Sequence, residues 1–223
     1  MELGQLKLQT YRKSWGQIVE ARWNALSLLD EPYLDVGCSS GDYVRLLASQ
    51  GAAAVGFDIQ PNPNWSSAPE LFTIGSAQSL PFPANSFETV FSFEVLEHLQ
   101  NPEEALREMQ RVSSRNVLVT VPDCEVPVAF RNSGLTYNHF SDPTHVQFFS
   151  EESLRQLFRS VSMEVVFIVR INPVRPEILH YTSQGLPKAL VSILSRIARL
   201  NPFAKKYYMT LMALGVTAEE PRP

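Results

Sequence analysis

The sequence predicts a doubly wound α/β fold, a mostly parallel sheet in layers with helices on both faces. Three observations carry this expectation. Short apolar runs alternate with segments of helical periodicity from Tyr33 to Val121. A glycine-bearing turn, Gly37-Cys38-Ser39-Ser40-Gly41, separates the first run from the first of those helical segments. The chain has 223 residues, 44% hydrophobic and 19% charged, which is enough for one closed core and suggests one domain over 1–223.

Each element has a local cause. Tyr11, Trp15, Ile18, Val19, Trp23, Leu26 and Leu29 recur at roughly helical spacing, so residues 1–30 are expected to form an N-terminal helical segment. Tyr33 to Val36 follows Pro32 as a short buried strand, and Asp42 is placed to cap a helix over Tyr43 to Ser49. Ala52 to Phe57 is a second strand that stops at Asp58. Gln60 to Pro69, rich in Pro, Asn and Ser, is expected to be loop, with a brief third strand over Leu71 to Ile74. Pro81 and Pro83 break the chain before a fourth strand, Thr89 to Phe93. Pro102 opens a helix through Arg111, and the valine-rich run Asn116 to Val121 is a fifth strand.

Residues 122–150 are irregular and dense in His, Asp, Asn and aromatic side chains, the composition of a functional loop on the acceptor side of a site. A helix from Ser150 to Arg159, a strand from Met163 to Val169, a helix over 187–200 and a last strand from Tyr207 to Val216 follow, with a loose tail from Thr217. Residues 171–205 are set aside as a helical insertion or lid. In its helix Leu190, Ile193, Leu194, Ile197 and Leu200 share one face, opposite Lys188, Arg196 and Arg199. The preferred expectation is that the apolar face covers the sheet; the alternatives are a lid over an apolar acceptor or contact with an anionic membrane surface.

A net charge of −4 gives no global attraction for nucleic acid, so no nucleic-acid partner is expected. Two cysteines, Cys38 and Cys124, cannot build a disulfide framework, and neither a signal-like apolar core nor an uninterrupted membrane span is present. These features point to a cytoplasmic protein, monomer or homodimer, with a small-molecule partner.

A strand running through a glycine turn into a helix aims backbone N–H groups and a positive helix terminus at a ligand. Asp58 follows at the distance at which an acidic residue accepts hydrogen bonds from ribose hydroxyls. The segment Leu34-Asp35-Val36-Gly37-Cys38-Ser39-Ser40-Gly41 resembles the first motif of class I methyltransferases, with Ser39 at the family's middle glycine. Leu80-Pro81-Phe82-Pro83-Ala84-Asn85-Ser86-Phe87-Glu88 and Phe93-Glu94-Val95-Leu96-Glu97-His98-Leu99 are similar to the fourth-strand region of the type 11 subgroup. The resemblance covers roughly residues 30–170. It implies a seven-stranded sheet with the last strand antiparallel, in three α/β/α layers. It also implies S-adenosylmethionine as cofactor, S-adenosylhomocysteine as product and no metal. By position it assigns the cofactor to Asp35, Gly37, Cys38, Ser39, Gly41, Tyr43, Asp58, Ile59, Ser76, Ala77, Gln78, Phe93, Glu94 and Val95. An acidic adenine acceptor common in the family is missing, and Ser76, Gln78 or a backbone carbonyl takes its place.

Rival explanations exist for the same residues. Gly-Cys-Ser-Ser-Gly also fits the G-x-S-x-G elbow of a serine hydrolase, with Ser39 as nucleophile, but that leaves Asp58 and Phe93 to His98 without a role. A turn that merely shortens a connection, or a degenerate methyltransferase-like binding protein, would keep the fold without the chemistry.

Catalysis by methyl transfer rests mainly on positioning, with a general base useful for a hydroxyl or amine acceptor. His139, Asp142 and His145 are the candidates. They lie in Tyr137-Asn138-His139-Phe140-Ser141-Asp142-Pro143-Thr144-His145, which resembles an Asp-Pro-Thr-His segment of type 11 relatives. The alternatives are that Asp142 caps a turn, that His145 holds the loop, or that the trio binds a metal. His98 is expected to fix the turn after the fourth strand, and Cys38 to pack as a small residue.

Overall fold

The computed structural model describes residues 18–125, 140, 142–174, 185–199 and 207–217. Strands β1 (Tyr33–Val36), β2 (Ala54–Asp58), β3 (Phe72–Ile74), β4 (Phe87–Phe93), β5 (Ser113–Pro122), β6 (Met163–Val174) and β7 (Tyr207–Thr217) form one sheet in the order β3-β2-β1-β4-β5-β7-β6. The first five run parallel. β7 enters antiparallel between β5 and β6, pairing Leu118 with Leu214 and Ile168 with Ala213. The expected seven-stranded sheet with its inserted last strand is therefore present.

Alternation along the strands splits the core into two layers. Leu34, Val36, Val90, Val117, Val119 and Val121 pack on one face beneath helices α3 (Pro102–Val112) and α4 (Glu151–Ser160). Tyr33, Phe91, Leu118 and Met212 face the other way, beneath α1 (Glu20–Leu26) and α2 (Asp42–Ser49). Pro102 at the start of α3 costs no hydrogen bond, and Ser150 caps α4 in a reciprocal pair with Ser153.

Several boundaries differ from the sequence expectation. Gly41, in the left-handed region at φ 76°, is the N-cap of α2, and Asp42 is its first residue; the Asp42 carboxylate holds Ser40 Oγ and Arg45 instead of capping. The segment Gln60 to Pro69 is not featureless, because Pro63–Ser67 winds into a 3-10 turn that buries Trp65 against Phe72. β6 continues to Val174, into the stretch assigned to the insertion, because β7 pairs with it that far. Thr217, expected to begin the tail, is the last residue of β7 and pairs with Met163; residues 218–223 and much of the acceptor-side loop, including His139, lie outside the described residues.

Helix α5 (Lys188–Arg199) overturns the preferred expectation for it. Leu190, Ile193 and Ile197 are 41%, 55% and 60% exposed, so the apolar face does not cover the sheet. Among the described residues no helix is long and apolar enough to cross a membrane.

Candidate functional site

β1 is flanked by β2 on one side and by β4 on the other, so the connections leave it in opposite directions and a crevice opens above its carboxyl end. The glycine turn lines that crevice. Gly37 has φ 81°, and a Cβ there would overlap Val95, so only glycine lets the turn pass this close to the end of β4. The Gly37 and Cys38 N–H groups donate to the Phe57 carbonyl at 2.7 and 3.1 Å, and Gly41 donates to the Cys38 carbonyl at 2.7 Å. Ser39, at φ 46°, donates its N–H to Asp58 Oδ2 at 2.8 Å and accepts from Trp65 Nε1 at 2.9 Å.

A cavity of about 450 Å³ extends from Gly37 and Ser39 past Asp58 and Ile59 to Gly75, Ser76, Ala77 and Gln78, and on the other side to Glu94, Val95, His98 and Thr144. Its size is in the ~300–1,000 Å³ range of small-molecule sites. The wall from Ser76 to Phe82 is clamped by α3: Leu80 N donates to Glu108, and Arg111 donates to the Leu80 and Phe82 carbonyls at 2.9 and 2.8 Å. The Arg111 guanidinium beside Glu108 holds that carboxyl below its ordinary range. Gln78 turns its amide to Glu104 at 2.8 Å, while Ser76 Oγ accepts from Gln78 N at 3.3 Å.

A smaller pocket of about 70 Å³ lies on the other side of the turn, lined by Arg22, Asp35, Cys38, Tyr43 and Phe93 among others. Arg22 comes from α1. It stacks over Phe93 at 5.2 Å and pairs with Glu94, which itself adopts φ 58° and accepts from Thr120 Oγ1 at 3.1 Å. Arg22 Nε is buried without a partner. Burial, then the Asp58 charge, push Asp35 well above the usual carboxylate range, with Arg22 opposing. Burial likewise pushes the Cys38 thiol far up, so it packs and does not act as a nucleophile.

On the acceptor side Leu96–His98 form a 3-10 turn directly after β4. The Glu97 carbonyl accepts from Val146 N and Gln147 N at 2.9 and 3.0 Å, docking the Asp-Pro-Thr-His segment on that turn. Asp142 Oδ1 accepts from Thr144 N at 2.9 Å and Thr144 Oγ1 at 2.6 Å, a side-chain turn of the kind the sequence allows. His98 Nδ1 lies 3.0 Å from Thr144 Oγ1, and its ring meets His145 edge-on at 4.7 Å. His145 Nε2 is 3.7 Å from Asp142 Oδ2. His98 and His145, ranked apart in the sequence, are thus neighbours. Glu97 is buried beside them, and its burial, then the neighbouring Glu94, push its carboxyl up to about 8.

From sequence, Arg22 has no role, and Glu97, with His98, is placed only just beyond the fourth strand at the crevice edge. Arg22 stands among polar and apolar neighbours alike, Glu20 and Asn24 included, so no local pattern marks it. For Glu97 the sequence indicates the place and only the fold reveals the burial.

The glycine turn, the acidic end of β2 and the sheet order together define a nucleotide-type cofactor crevice. Residues 9–166 match the family described as "Methyltransferase domain". The chain belongs to this family, the class I methyltransferases that use S-adenosylmethionine. It is 29% identical to ajmaline N-methyltransferase of Rauvolfia serpentina over 99 residues, 40% of this chain and 34% of that protein. It is 50% identical to a methyltransferase of Schizosaccharomyces pombe over 42 residues, 19% of this chain and 15% of that protein. The aligned stretches therefore span about a third or less of these curated relatives. A S-adenosylmethionine-dependent methyltransferase of Archaeoglobus fulgidus superposes with a TM-score of 0.64 at 16% identity, covering 88% of this chain and 92% of that one.

Family membership removes the hydrolase alternative. Among the described residues no histidine hydrogen-bonds Ser39, whose backbone is instead tied to Asp58 and Trp65.

Proposed function

We propose that the protein methylates a hydroxyl or amine of a small molecule, with S-adenosylmethionine as donor and S-adenosylhomocysteine as product. One observation carries the cofactor assignment: the crevice divides at the glycine turn into a larger compartment ending at Asp58 and a small charged one holding Arg22 and Asp35. The residues fit the group. Arg22 Nε, buried and unpartnered, suits the amino-acid carboxylate; Asp35 suits its ammonium; Asp58 suits the ribose diol. Ile59, Ala77 and the Ser76 to Gln78 backbone suit the adenine, with Gly37, Cys38, Ser39, Tyr43, Phe93, Glu94 and Val95 completing the walls; Gly41 lines neither compartment and faces Phe72 instead.

When bound, the sulfonium supplies an activated methyl group. The protein's part is to orient the acceptor, exclude water and take a proton. His145, held near Asp142, is the base we assign for that proton, with His139 as a second candidate. His98, against Thr144 on the cavity wall, orients the acceptor.

Ajmaline N-methyltransferase, by its name, methylates ajmaline at nitrogen; that supports a small-molecule acceptor here. Two free cysteines and a net charge of −4 support a cytoplasmic, non-nucleic-acid role. The test is calorimetry with S-adenosylhomocysteine, followed by methyl-label transfer to a panel of small hydroxyl and amine acceptors. Binding without transfer to any of them, but with transfer to protein or RNA, would reject the acceptor class. No binding would point to a degenerate site.

A further inference from the structure

A carboxylate and two imidazoles converge at the carboxyl end of β4. One ligand atom each from Glu97, His98 and His145 lies within 4.8 Å of the other two. Glu97 is 1% exposed, and neither of its carboxylate oxygens has a hydrogen-bond partner. A buried carboxyl without donors is costly, and buried polar groups are as a rule satisfied. Glu94 stands beside it as a like charge, and Arg22, which partly offsets that charge, is itself paired with Glu94.

We propose that Glu97, His98 and His145 bind one divalent transition-metal cation. Two imidazoles and one carboxylate on one side of a cation form a donor set for Mn²⁺, Fe²⁺ or Zn²⁺, and they leave positions open. With bonds of ~2.1 Å, ligand atoms around such an ion stand about 3–4 Å apart, so the observed trio needs to contract by roughly 1 Å. Side-chain rotation within a partly exposed cluster supplies that. The outer contacts are also in place: Thr144 oxygens lie on His98 Nδ1 at 3.0 and 3.2 Å, and Asp142 stands 3.7 Å from His145 Nε2.

This set differs from the His139, Asp142 and His145 trio that the sequence suggests, and it departs from the metal-free expectation; with the cation bound, His145 is a ligand and no longer the base, so the base role assigned above belongs to the cation-free protein. Only the fold brings the turn after β4 against the segment after β5. His98 and Thr144 line the larger cavity, so a cation held by the trio would border it. There its open positions would hold an acceptor hydroxyl oxygen, which favours a hydroxyl or vicinal diol over an amine. That last assignment rests on the methyltransferase reading; the cation site does not.

The experiment uses the full chain, stripped with a chelator and titrated with Mn²⁺ alone, followed by calorimetry and by loss of the free-ion paramagnetic signal. One equivalent is expected to bind. Glu97→Gln and His145→Ala should each weaken binding by about tenfold or more, while both variants bind S-adenosylhomocysteine as the parent does. No saturable binding of Mn²⁺ or Zn²⁺ by the parent overturns the proposal. Equal binding by parent and folded variants also overturns it. If Glu97→Gln does not fold, His145→Ala alone decides. Cation binding that persists in a chain unable to bind S-adenosylhomocysteine would reject the methyltransferase reading and keep the cation site.

Discussion

The Ser39 N–H donates to the Asp58 carboxylate at 2.8 Å, so the tip of the glycine turn and the end of β2 are one unit before any ligand arrives. Asp58 also accepts from Gln60 N at 3.2 Å, which orients the carboxylate across the cavity mouth. Asp58→Ala therefore removes both a ribose acceptor and the tie that shapes the turn. S-adenosylhomocysteine affinity should fall at least tenfold, about 1.4 kcal/mol, in calorimetry. An unchanged affinity would show that the cofactor does not use this carboxylate.

Ser39 itself is expected to be dispensable. Its φ of 46° lies in the left-handed region, where an L side chain is strained and glycine is not, and the contacts it makes here are through its backbone N–H and carbonyl. Ser39→Gly should change stability by no more than about 1 kcal/mol in urea unfolding and retain cofactor binding and methyl transfer. Loss of turnover with cofactor binding intact would return a chemical role to the hydroxyl.

Arg170 on β6 donates to Asp123 Oδ2 at 2.8 Å and reaches Glu125 and Glu151, joining the end of β5 to α4. Asp123 has a side-chain exposure of 3%. Arg170→Met keeps the aliphatic volume and leaves the buried Asp123 carboxylate without its cation, with only Glu125 N still donating to Oδ1, which should cost roughly 2–4 kcal/mol and lower the urea midpoint. The double variant Arg170→Met with Asp123→Asn should recover part of that loss.

The central sheet was legible because its strands are short valine- and phenylalanine-rich runs bounded by Pro, Gly and Asp, and the glycine turn carried its own signature. What escaped was set by tertiary partners. β6 looks finished at Val169, yet β7 pairs with it to Val174. Helix α5 has the periodicity of a core helix, but periodicity cannot say whether a partner is present, and its Ile193 and Ile197 are exposed. The residues lining the crevice come mostly from the turns after β1, β2 and β4 and are local in sequence, while Arg22 enters from a helix tied to the sheet by Tyr43 accepting from Val19 N at 2.9 Å. The polar cluster at Glu97 joins residues 47 or 48 positions apart, a juxtaposition no local pattern encodes.

Asp35 gives the cofactor site a pH dependence of defined sign. Burial first, and Asp58 second, raise its pKa well above the ordinary carboxylate value, with Arg22 acting against them. A ligand ammonium brought beside Asp35 favours the ionised form, so binding lowers that pKa and releases a proton. Affinity for S-adenosylhomocysteine must then rise with pH up to the raised pKa of the free protein and level off above it. The stability linkage has the opposite slope: a folded pKa above the unfolded one means that stability is fully present below the unfolded value and is lost as pH rises through the folded one. Calorimetry over about pH 5 to 8 in two buffers of different ionisation enthalpy measures both the affinity and the proton count. Asp35→Asn should flatten the affinity profile and abolish the proton release, and a parent profile already flat, with no proton released, would mean that the ammonium does not bind at Asp35.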